Sequence, residues 1–252
     1  MEKTIHREES AVNKQGFPGK TGVSAVVVAA GKGKRMERDY NKQYITLEGR
    51  PILAHTLRVF ENHEAIDEVV VVVGKGEGPL CRKRVVEPYG LTKVQSIVEG
   101  GRERYHSVLN GIRATKEDCD MVVIHDGARP FLKAAMIDQS ICAAKAHGCA
   151  ILGVPVKDTI KIIDGEGFVR ETPKREELWM VQTPQTFQKP LILKAHELRE
   201  GKNLAVTDDA MLVEALGRKV KMVRGDYENI KITTPEDLVL AEGIMKRRKN
   251  RD

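Results

Sequence analysis

The sequence predicts an α/β protein built on a Rossmann-like, doubly wound, mostly parallel sheet. Runs of β-branched and other apolar residues, such as Ser24–Ala30 and Glu68–Val73, lack the polar alternation of a strand with one solvent-exposed face. Such continuous runs are typical of strands that a parallel sheet buries on both faces. Segments with a helical period of apolar residues separate these runs, and this alternation favours a doubly wound sheet.

The other regular elements follow from the same two patterns. Pro51 suits the first turn of a helix, and apolar residues from Ile52 to Phe60 recur at helical spacing. The remaining predicted strands are Thr92–Val98, Met121–Ile124, Ala150–Val154 and Val220–Val223. The remaining predicted helices are Glu103–Ala114, Ala134–His147, Pro190–Arg199, Asp208–Leu216 and Pro235–Lys249.

A hairpin interrupts this alternation in the second half of the chain. Two short strand-like runs, Lys157–Ile163 and Gly167–Thr172, flank the turn sequence Asp164-Gly-Glu-Gly167. A hairpin inserted into an α/β domain often projects from it and serves oligomerisation. We therefore expect a projecting arm over about residues 155–182 that serves oligomerisation; the family resemblance described below implies that the oligomer is a homodimer formed through this arm.

The composition predicts one domain in a cytoplasmic protein. Hydrophobic residues make up 41% of the 252 residues, which is enough for a substantial core, and no apolar run approaches the length of a membrane span. The four cysteines form no CxxC pair and are typical of reduced thiols. Residues 1–22 are polar and aperiodic, so we expect a flexible extension there and a single domain over residues 23–252.

The net charge of +6 lies mostly at the C-terminal end. Lys246–Asp252 has five basic residues and one acidic residue, a net +4, while residues 1–22 carry a net +1, which leaves +1 for residues 23–245. This distribution favours neither a nucleic-acid partner nor a membrane partner. The alternative is a non-enzymatic binder of nucleotides or nucleic acid that uses the basic tail. Deleting Lys246–Asp252 distinguishes this binder from an enzyme, because an enzyme would keep its turnover and a binder would lose its function.

The segment Ala29–Met36, which follows the first predicted strand, has the composition of a phosphate-binding loop. It matches neither the P-loop, since no Ser or Thr follows a lysine, nor GxGxxG, since methionine takes the place of the third glycine. Gly31 and Gly33 still allow backbone N–H groups to approach an anion at the carboxyl end of a strand. The alternative is a solvated basic turn. The basic side chains of the loop are Lys32, Lys34 and Arg35.

Three further positions have a chemical interpretation. Lys42 follows the loop closely and would add a second cation beside the same phosphates, although a lone lysine is usually a surface residue. Asp126 ends a predicted strand, where a single carboxylate can hold Mg²⁺ if substrate phosphates supply most other ligands; a turn or cap aspartate is the alternative. Gly100-Gly101 precedes a helix whose first turn contains Ser107 and favours anions.

Taken together, several strings of the sequence resemble one family, the 2-C-methyl-D-erythritol 4-phosphate cytidylyltransferases of the non-mevalonate isoprenoid pathway, over about Ser24–Leu240. The resemblance departs from the family pattern at Asn41, where proline is usual, and at Gly127, where alanine is usual. The strings are Ala29–Met36, Lys42-Gln-Tyr44, Gly100–Val108, His125–Pro130, Val154–Thr159, Gln182–Gln185, Thr207-Asp208 and Asn229–Leu238.

The resemblance implies a fold of the nucleotidyltransferase type and a reaction in which CTP and methylerythritol phosphate give the cytidine diphosphate derivative and pyrophosphate. It implies that Arg35, Lys42 and Lys231 are catalytic and that Asp126 binds Mg²⁺. It implies nucleotide binding by Ala29, Ala30, Gly31, Gly33, Gly101, Ser107 and Gly127. It implies binding of methylerythritol phosphate by Arg129, Thr159, Arg175, Thr183 and Thr207, with Thr159 and Arg175 on the arm completing the site of the neighbouring subunit.

A cytidylyltransferase acting on ribitol 5-phosphate is the nearest alternative. Such enzymes share the Gly-rich loop, the Lys-Gln pair and the Asn-Ile-Lys string. The strings around Gly127-Ala128 and Val154–Lys157 favour methylerythritol phosphate as the acceptor.

Overall fold

The structure is a computed structural model that describes residues 22–31, 44–199 and 206–250. The strands are β1 (Gly22–Val28), β2 (Thr46–Leu47), β3 (Arg50–Pro51), β4 (Glu68–Val73), β5 (Val94–Glu99), β6 (Cys119–Asp126), β7 (Cys149–Pro155), β8 (Ile162–Ile163), β9 (Val169–Glu171), β10 (Trp179–Gln188) and β11 (Lys221–Arg224). The α-helices are α1 (Ile52–Glu61), α2 (Gly78–Cys81), α3 (Arg104–Arg113), α4 (Ala134–His147), α5 (Lys189–Arg199), α6 (Ala210–Glu214) and α7 (Pro235–Lys249). A π-helical turn follows α2, and a 3₁₀ turn precedes β10.

Seven strands form the central sheet in the order β11-β7-β10-β6-β1-β4-β5. The pairs β1–β4, β1–β6, β4–β5 and β7–β11 are parallel, and β10 is antiparallel to both β6 and β7. Six strands therefore run in one direction, and their carboxyl ends share one edge of the sheet. This arrangement confirms the predicted mostly parallel α/β fold.

Helices cover both faces of the sheet because its strands are apolar on both sides. The face of Ala25 and Val27 packs against α1 and α4. The face of Val26 packs against α3, α5 and α6. A smaller cluster packs α7 against the β2–β3 ribbon and Phe131, next to the segment that carries Lys231.

Strand β10 is the main feature that the sequence patterns do not predict. Four of its polar side chains, Gln182, Thr183, Gln185 and Thr186, are buried, so the segment shows no apolar pattern. The register of β10 against β7 shifts between Gln182 and Gln185, which places Thr183 at an irregularity in the ladder. The polar side chains of this irregularity lie next to the carboxyl end of β6, where they take part in the candidate site.

The predicted hairpin is present but smaller than expected. β8 and β9 pair with each other across the turn at Asp164–Gly167. Pro155 and Trp179 pair with each other in the main sheet, so the part outside the sheet spans residues 156–178 rather than 155–182. Exposed apolar side chains concentrate there, with Phe168 at 69% exposure. β1 begins at Gly22, the first residue that the structure describes, and the predicted domain start at residue 23 stays a prediction.

Candidate active site

The loops that follow β6, β1 and β5 meet at the carboxyl edge of the sheet, where β4 lies between β1 and β5. Ala29 N–H donates to the carbonyl of Val72 at 2.7 Å, which holds the end of β1 against β4. Gly100 N–H donates to the carbonyl of Val73 at 2.7 Å, which does the same for β5. Gly127 N–H donates to the carbonyl of Val28 at 2.9 Å. The loops therefore begin side by side, which is where open α/β sheets bind ligands.

Glycine is required where these loops approach one another. A Cβ on Gly100 would lie 2.5 Å from Cβ of Ala30, and a Cβ on Gly101 would lie 2.3 Å from Cβ of His106. A Cβ on Gly127 would lie 3.0 Å from Cδ1 of Leu53, so an alanine at this position would require Leu53 to move by a few tenths of an ångström. The backbone of these loops can therefore approach a ligand without intervening side chains.

The structure brings together most of the predicted nucleotide-binding positions. Ser107 is buried, and its Oγ accepts from Gly101 N–H at 3.1 Å and donates to the carbonyl of Glu103 at 3.2 Å. Its hydroxyl thus fixes the glycine loop. The predicted positions Gly33, Arg35 and Lys42 lie outside the described residues. The predicted nucleotide-binding positions that the structure describes are Ala29, Ala30, Gly31, Gly101, Ser107 and Gly127.

Asp126 ends β6 and lies among three cationic side chains. Its Oδ2 is 2.8 Å from Nζ of Lys231 and 3.4 Å from Nε of Arg129, and its Oδ1 is 3.5 Å from Nη2 of Arg104. Burial alone raises the pKa of the Asp126 carboxyl, but Lys231, Arg104 and Arg129 outweigh burial and hold it well below its ordinary value. Asp126 is therefore ionised throughout the physiological range.

Arg104 joins Asp126 to a second buried carboxylate, Asp209. Nη1 of Arg104 is 2.7 Å from Oδ2 of Asp209, which is fully buried at the start of α6. Burial raises the pKa of Asp209, whereas the attraction to Arg104 opposes that rise. Burial likewise lowers the pKa of Arg104, but the two carboxylates outweigh it and raise the pKa above its ordinary value. This pairing keeps the guanidinium charged and fixes it beside Asp126.

The donor chemistry at Asp126 is compatible with one ligand to Mg²⁺. The described residues contain no cluster of three or more His, Cys, Asp or Glu side chains that would hold a metal by itself. Mg²⁺ does not need such a cluster when substrate phosphates supply most of its ligands, and an ionised carboxylate at a strand end is the protein ligand that it then uses. The three cations around Asp126 suit the same phosphates.

A cavity of about 480 Å³ opens beside Asp126. Its walls carry both charges and apolar groups, such as Lys231 and Ile151, and its size suits a small phosphorylated molecule. The predicted substrate-binding residues on its wall are Arg129, Thr183 and Thr207, together with the predicted catalytic residue Lys231.

Two predicted substrate-binding residues lie away from this cavity. Thr159 and Arg175 are exposed on the hairpin, and neither is among the described residues that line the cavity. Arg175 Nη1 donates to the carbonyl of Lys157 at 3.1 Å, a bond within the arm. This geometry does not support a role for Thr159 or Arg175 in the cavity of their own chain. Their contribution to the site of a neighbouring subunit stays a prediction.

The segment that carries Lys231 is held by buried polar contacts that sequence reasoning missed. Asn229 is fully buried and donates from Nδ2 to the carbonyl of Thr183 at 2.9 Å. Its own carbonyl accepts from Nη1 of Arg129 at 2.8 Å. Gln185 holds α6, because its Oε1 accepts from Asp209 N–H at 3.0 Å. The asparagine in the Asn-Ile-Lys string was the available signal for the first contact, whereas no sequence pattern indicates the second.

This fold and this site define the chain as a nucleotidyltransferase: glycine loops, a carboxylate and a set of cations converge at the carboxyl edge of a doubly wound sheet. The sequence matches the family of 2-C-methyl-D-erythritol 4-phosphate cytidylyltransferases over residues 23–247, and the chain belongs to that family. A protein of that name from Alkaliphilus oremlandii is 56% identical over 226 residues, which cover 90% of this chain and 96% of the relative. Another from Geotalea uraniireducens is 53% identical over 89% of this chain and 97% of its own length.

Solved structures of the same family share the fold. The 4-diphosphocytidyl-2C-methyl-D-erythritol synthase of Anaerococcus prevotii superposes with a TM-score of 0.80 at 35% identity, covering 90% of this chain and 97% of that one. The 2-C-methyl-D-erythritol 4-phosphate cytidylyltransferase of Thermus thermophilus superposes with a TM-score of 0.73 at 33% identity, covering 90% and 100%. No helix within the described residues is long and apolar enough to cross a membrane.

Proposed function

We propose that this chain transfers the cytidylyl group from CTP to 2-C-methyl-D-erythritol 4-phosphate, forming 4-diphosphocytidyl-2-C-methyl-D-erythritol and pyrophosphate for isoprenoid precursor synthesis. The observation that carries the proposal is the position of Asp126, which lies between the glycine loops and the cavity and is surrounded by Lys231, Arg104 and Arg129. The names of the relatives likewise describe a cytidylyltransferase for 2-C-methyl-D-erythritol 4-phosphate.

The reaction needs charge neutralisation and alignment more than acid–base chemistry. An oxygen of the acceptor phosphate attacks the α-phosphorus of CTP, a new P–O bond forms, and the bond between the α-phosphorus and the bridging oxygen to the β-phosphate breaks. The electron pair of that bond leaves with pyrophosphate. The nucleophile is already anionic at neutral pH, so no side chain has to remove a proton. The obstacle is the approach of two polyanions, which cations and positioning overcome.

The described residues suit this task. Lys231 and Arg129 would leave Asp126 and contact phosphate oxygens when the substrates bind, while Arg104 would stay in place because Asp209 holds it at 2.7 Å. Asp126 would hold Mg²⁺, which when bound supplies charge neutralisation and a fixed geometry for the triphosphate oxygens. The backbone of Ala29–Gly31 and Gly101 would receive the nucleotide. Arg35 and Lys42 would add cations at the α-phosphate and at the leaving pyrophosphate.

The arm would complete the site in a homodimer. Thr159 and Arg175 are exposed and lie outside the cavity of their own chain. The arm also exposes apolar side chains, such as Ile163 and Phe168, which contact with a second chain would bury. We place the enzyme in the cytoplasm, because its substrates are charged metabolites and all four cysteines are free thiols.

Pyrophosphate release tests this function directly. CTP and Mg²⁺ are incubated with the protein and either methylerythritol phosphate or ribitol 5-phosphate in parallel, with Lys231→Ala as the control protein. Release with methylerythritol phosphate alone is expected. Release with ribitol 5-phosphate alone would contradict the proposed acceptor, and release in neither reaction would contradict the proposed function.

A further inference from the structure

His125, the residue before Asp126, is fully buried and makes two hydrogen bonds that the proposed reaction does not use directly. Its Nε2 lies 3.1 Å from the carbonyl oxygen of Arg129, and its Nδ1 lies 3.0 Å from Oγ1 of Thr183. The edge of the ring packs against Phe60, with the ring centroids 5.4 Å apart. The imidazole thus connects the turn after β6 to strand β10.

These contacts determine where the imidazole proton lies. A carbonyl oxygen can only accept, so Nε2 of His125 carries the proton and donates it to Arg129. In the neutral ring Nδ1 then has a free lone pair and accepts from the hydroxyl of Thr183. The oxygen of Thr183 already accepts from Asp126 N–H, and Nδ1 of His125 is the acceptor that the described residues place within reach of the hydroxyl proton, so the pairing fits a neutral ring.

The same assignment fixes the hydroxyl of Thr183. Its proton goes to His125, and its oxygen accepts from the backbone N–H of Asp126 at 3.1 Å. The hydrogen bonds therefore form one directed chain from Asp126 N–H through Thr183 and His125 to the carbonyl of Arg129. Because Arg129 N–H also donates to the carbonyl of Asp126 at 3.0 Å, both ends of the turn are held.

We infer that His125 is a positioning residue, which as the Nε2–H tautomer fixes the Thr183 hydroxyl and the Arg129 carbonyl and so orients Asp126 and Arg129 toward the cavity. The inference rests on the proposed function, because it takes Asp126 and Arg129 as the groups that face the substrates. A second consequence concerns Thr183. Its hydroxyl can accept from a hydroxyl of the acceptor molecule, but it has no proton left to donate to a phosphate.

The tautomer is measured first, by long-range ¹⁵N–¹H correlation NMR of the histidine rings in the full-length protein without substrate. His125→Asn identifies the His125 signals by their loss. The expected result is a neutral Nε2–H ring whose Nδ1 resonance shifts in Thr183→Val and is retained in Thr183→Ser. A protonated ring or an Nδ1–H tautomer at pH 7 would overturn the inference. This measurement stands even if the proposed reaction is wrong.

A kinetic double-mutant cycle then tests the positioning role. Thr183→Ser is expected to keep kcat within about threefold, while Thr183→Val and His125→Asn each lower kcat by about tenfold or more, with the KM for CTP nearly unchanged. The double variant should be no slower than the slower single variant, because both changes break the same chain. Losses that multiply in the double variant, or that fall on the KM for CTP, would contradict the inference. Unfolding curves in urea show whether each variant is folded under the assay conditions.

Discussion

At the scale of single residues, the negative charge of Asp126 is compensated by three cationic side chains, and we expect bound phosphates to compete with Asp126 for them. The carboxylate compensates Lys231, Arg129 and Arg104 while the phosphates are absent. Phosphate binding offers the same cations new partners, and the carboxylate then has oxygens for Mg²⁺. Deleting its charge should therefore have opposite effects on binding of a bare polyanion and on catalysis.

We expect Asp126→Asn to bind pyrophosphate more tightly than the wild type when Mg²⁺ is absent, because Lys231 and Arg129 lose the carboxylate that they contact and Arg104 keeps only Asp209. With Mg²⁺ and both substrates, we expect kcat to fall by about 100-fold or more, since the only proposed protein ligand of the ion is lost. Isothermal titration calorimetry and pyrophosphate release measure the two effects. Asp138→Asn, a change to an exposed carboxylate on α4, is the control. Weaker metal-free binding in Asp126→Asn would contradict this account.

The residues of the site were predictable from the sequence to different degrees. Asp126 follows an apolar strand, so its place at the sheet edge could be predicted from local pattern alone. The pair of Arg104 and Asp209 could not, because 105 positions separate the partners and only the packing of α3 beside α6 brings them together. Thr183 was predicted to bind substrate, and that role is still a prediction, whereas its support of Asp126 through a backbone contact has no sequence signal.

At the scale of elements, the sheet is predictable where strands are apolar and unpredictable where buried strands are polar. The periodicity predicts α4 and α7 with the bounds that the structure has. It misses β10, because the hydrogen bonds that allow Gln182, Thr183 and Gln185 to be buried come from distant segments. It also predicts α6 over Asp208–Leu216, whereas the helix spans Ala210–Glu214 and is two residues shorter at each end. At its start, Asp208 lies ahead of the helix and accepts from Met211 N–H.

Helix α3 contacts β1 and β4 closely enough to require glycine. A Cβ on Gly111 would lie 2.4 Å from Cγ1 of Val26 and 2.8 Å from Cγ2 of Val72. We expect Gly111→Ala to lower the free energy of unfolding by about 1–3 kcal/mol through overpacking, although alanine is the better helix former. Gly243→Ala on α7 is the matched control: its Cβ would meet nothing within 4 Å, so we expect a gain of about 0.4–1 kcal/mol. Urea unfolding measures both, and equal effects would contradict the packing described.

Helix α5 buries a histidine, His196, whose Nε2 has no hydrogen-bond partner among the described residues. Burial, together with Arg199 and Arg113, lowers its pKa to about 4. Its unfolded pKa is about 6.5, so between these values the unfolded chain binds more protons and stability falls as the pH falls, by up to about 1.4 kcal/mol per pH unit.

We expect His196→Leu to flatten the loss of unfolding free energy between pH 6.5 and 4, as measured by urea denaturation at several pH values. His147→Leu on α4 changes an exposed histidine and is the control, with the wild-type slope expected. A wild-type slope in His196→Leu would show that the native ring titrates normally and would contradict its described environment.

At the scale of the assembly, we propose that each complete site contains residues of two chains. Lys231 lines the cavity of its own chain and is proposed to act there, whereas Arg175 lies on the arm and is proposed to act in the cavity of the partner. Two inactive variants should then complement each other when they share a dimer. One of the two sites in a mixed dimer would contain both wild-type residues, and the other would lack both.

Co-expression of Lys231→Ala with Arg175→Ala in equal amounts is expected to restore about a quarter of the wild-type activity, since half of randomly formed dimers are mixed and half of their sites are intact. Each variant alone should be nearly inactive. As a control, Thr172→Ala replaces Arg175→Ala in the mixture and shows the effect of an unrelated substitution on the arm. If the mixture stays inactive while mixed dimers form, Arg175 serves its own chain and the proposed assembly is wrong.

Attack of the acceptor phosphate on the α-phosphorus of CTP can be tested by following the oxygen atoms. Methylerythritol phosphate carrying ¹⁸O in its non-bridging phosphate oxygens is incubated with CTP, Mg²⁺ and the protein, and the products are examined by ³¹P NMR. We expect an isotope-shifted diphosphate in which ¹⁸O bridges the two phosphorus atoms, together with unlabelled pyrophosphate. An unlabelled bridge, label in the pyrophosphate or the absence of any diphosphate product would contradict it.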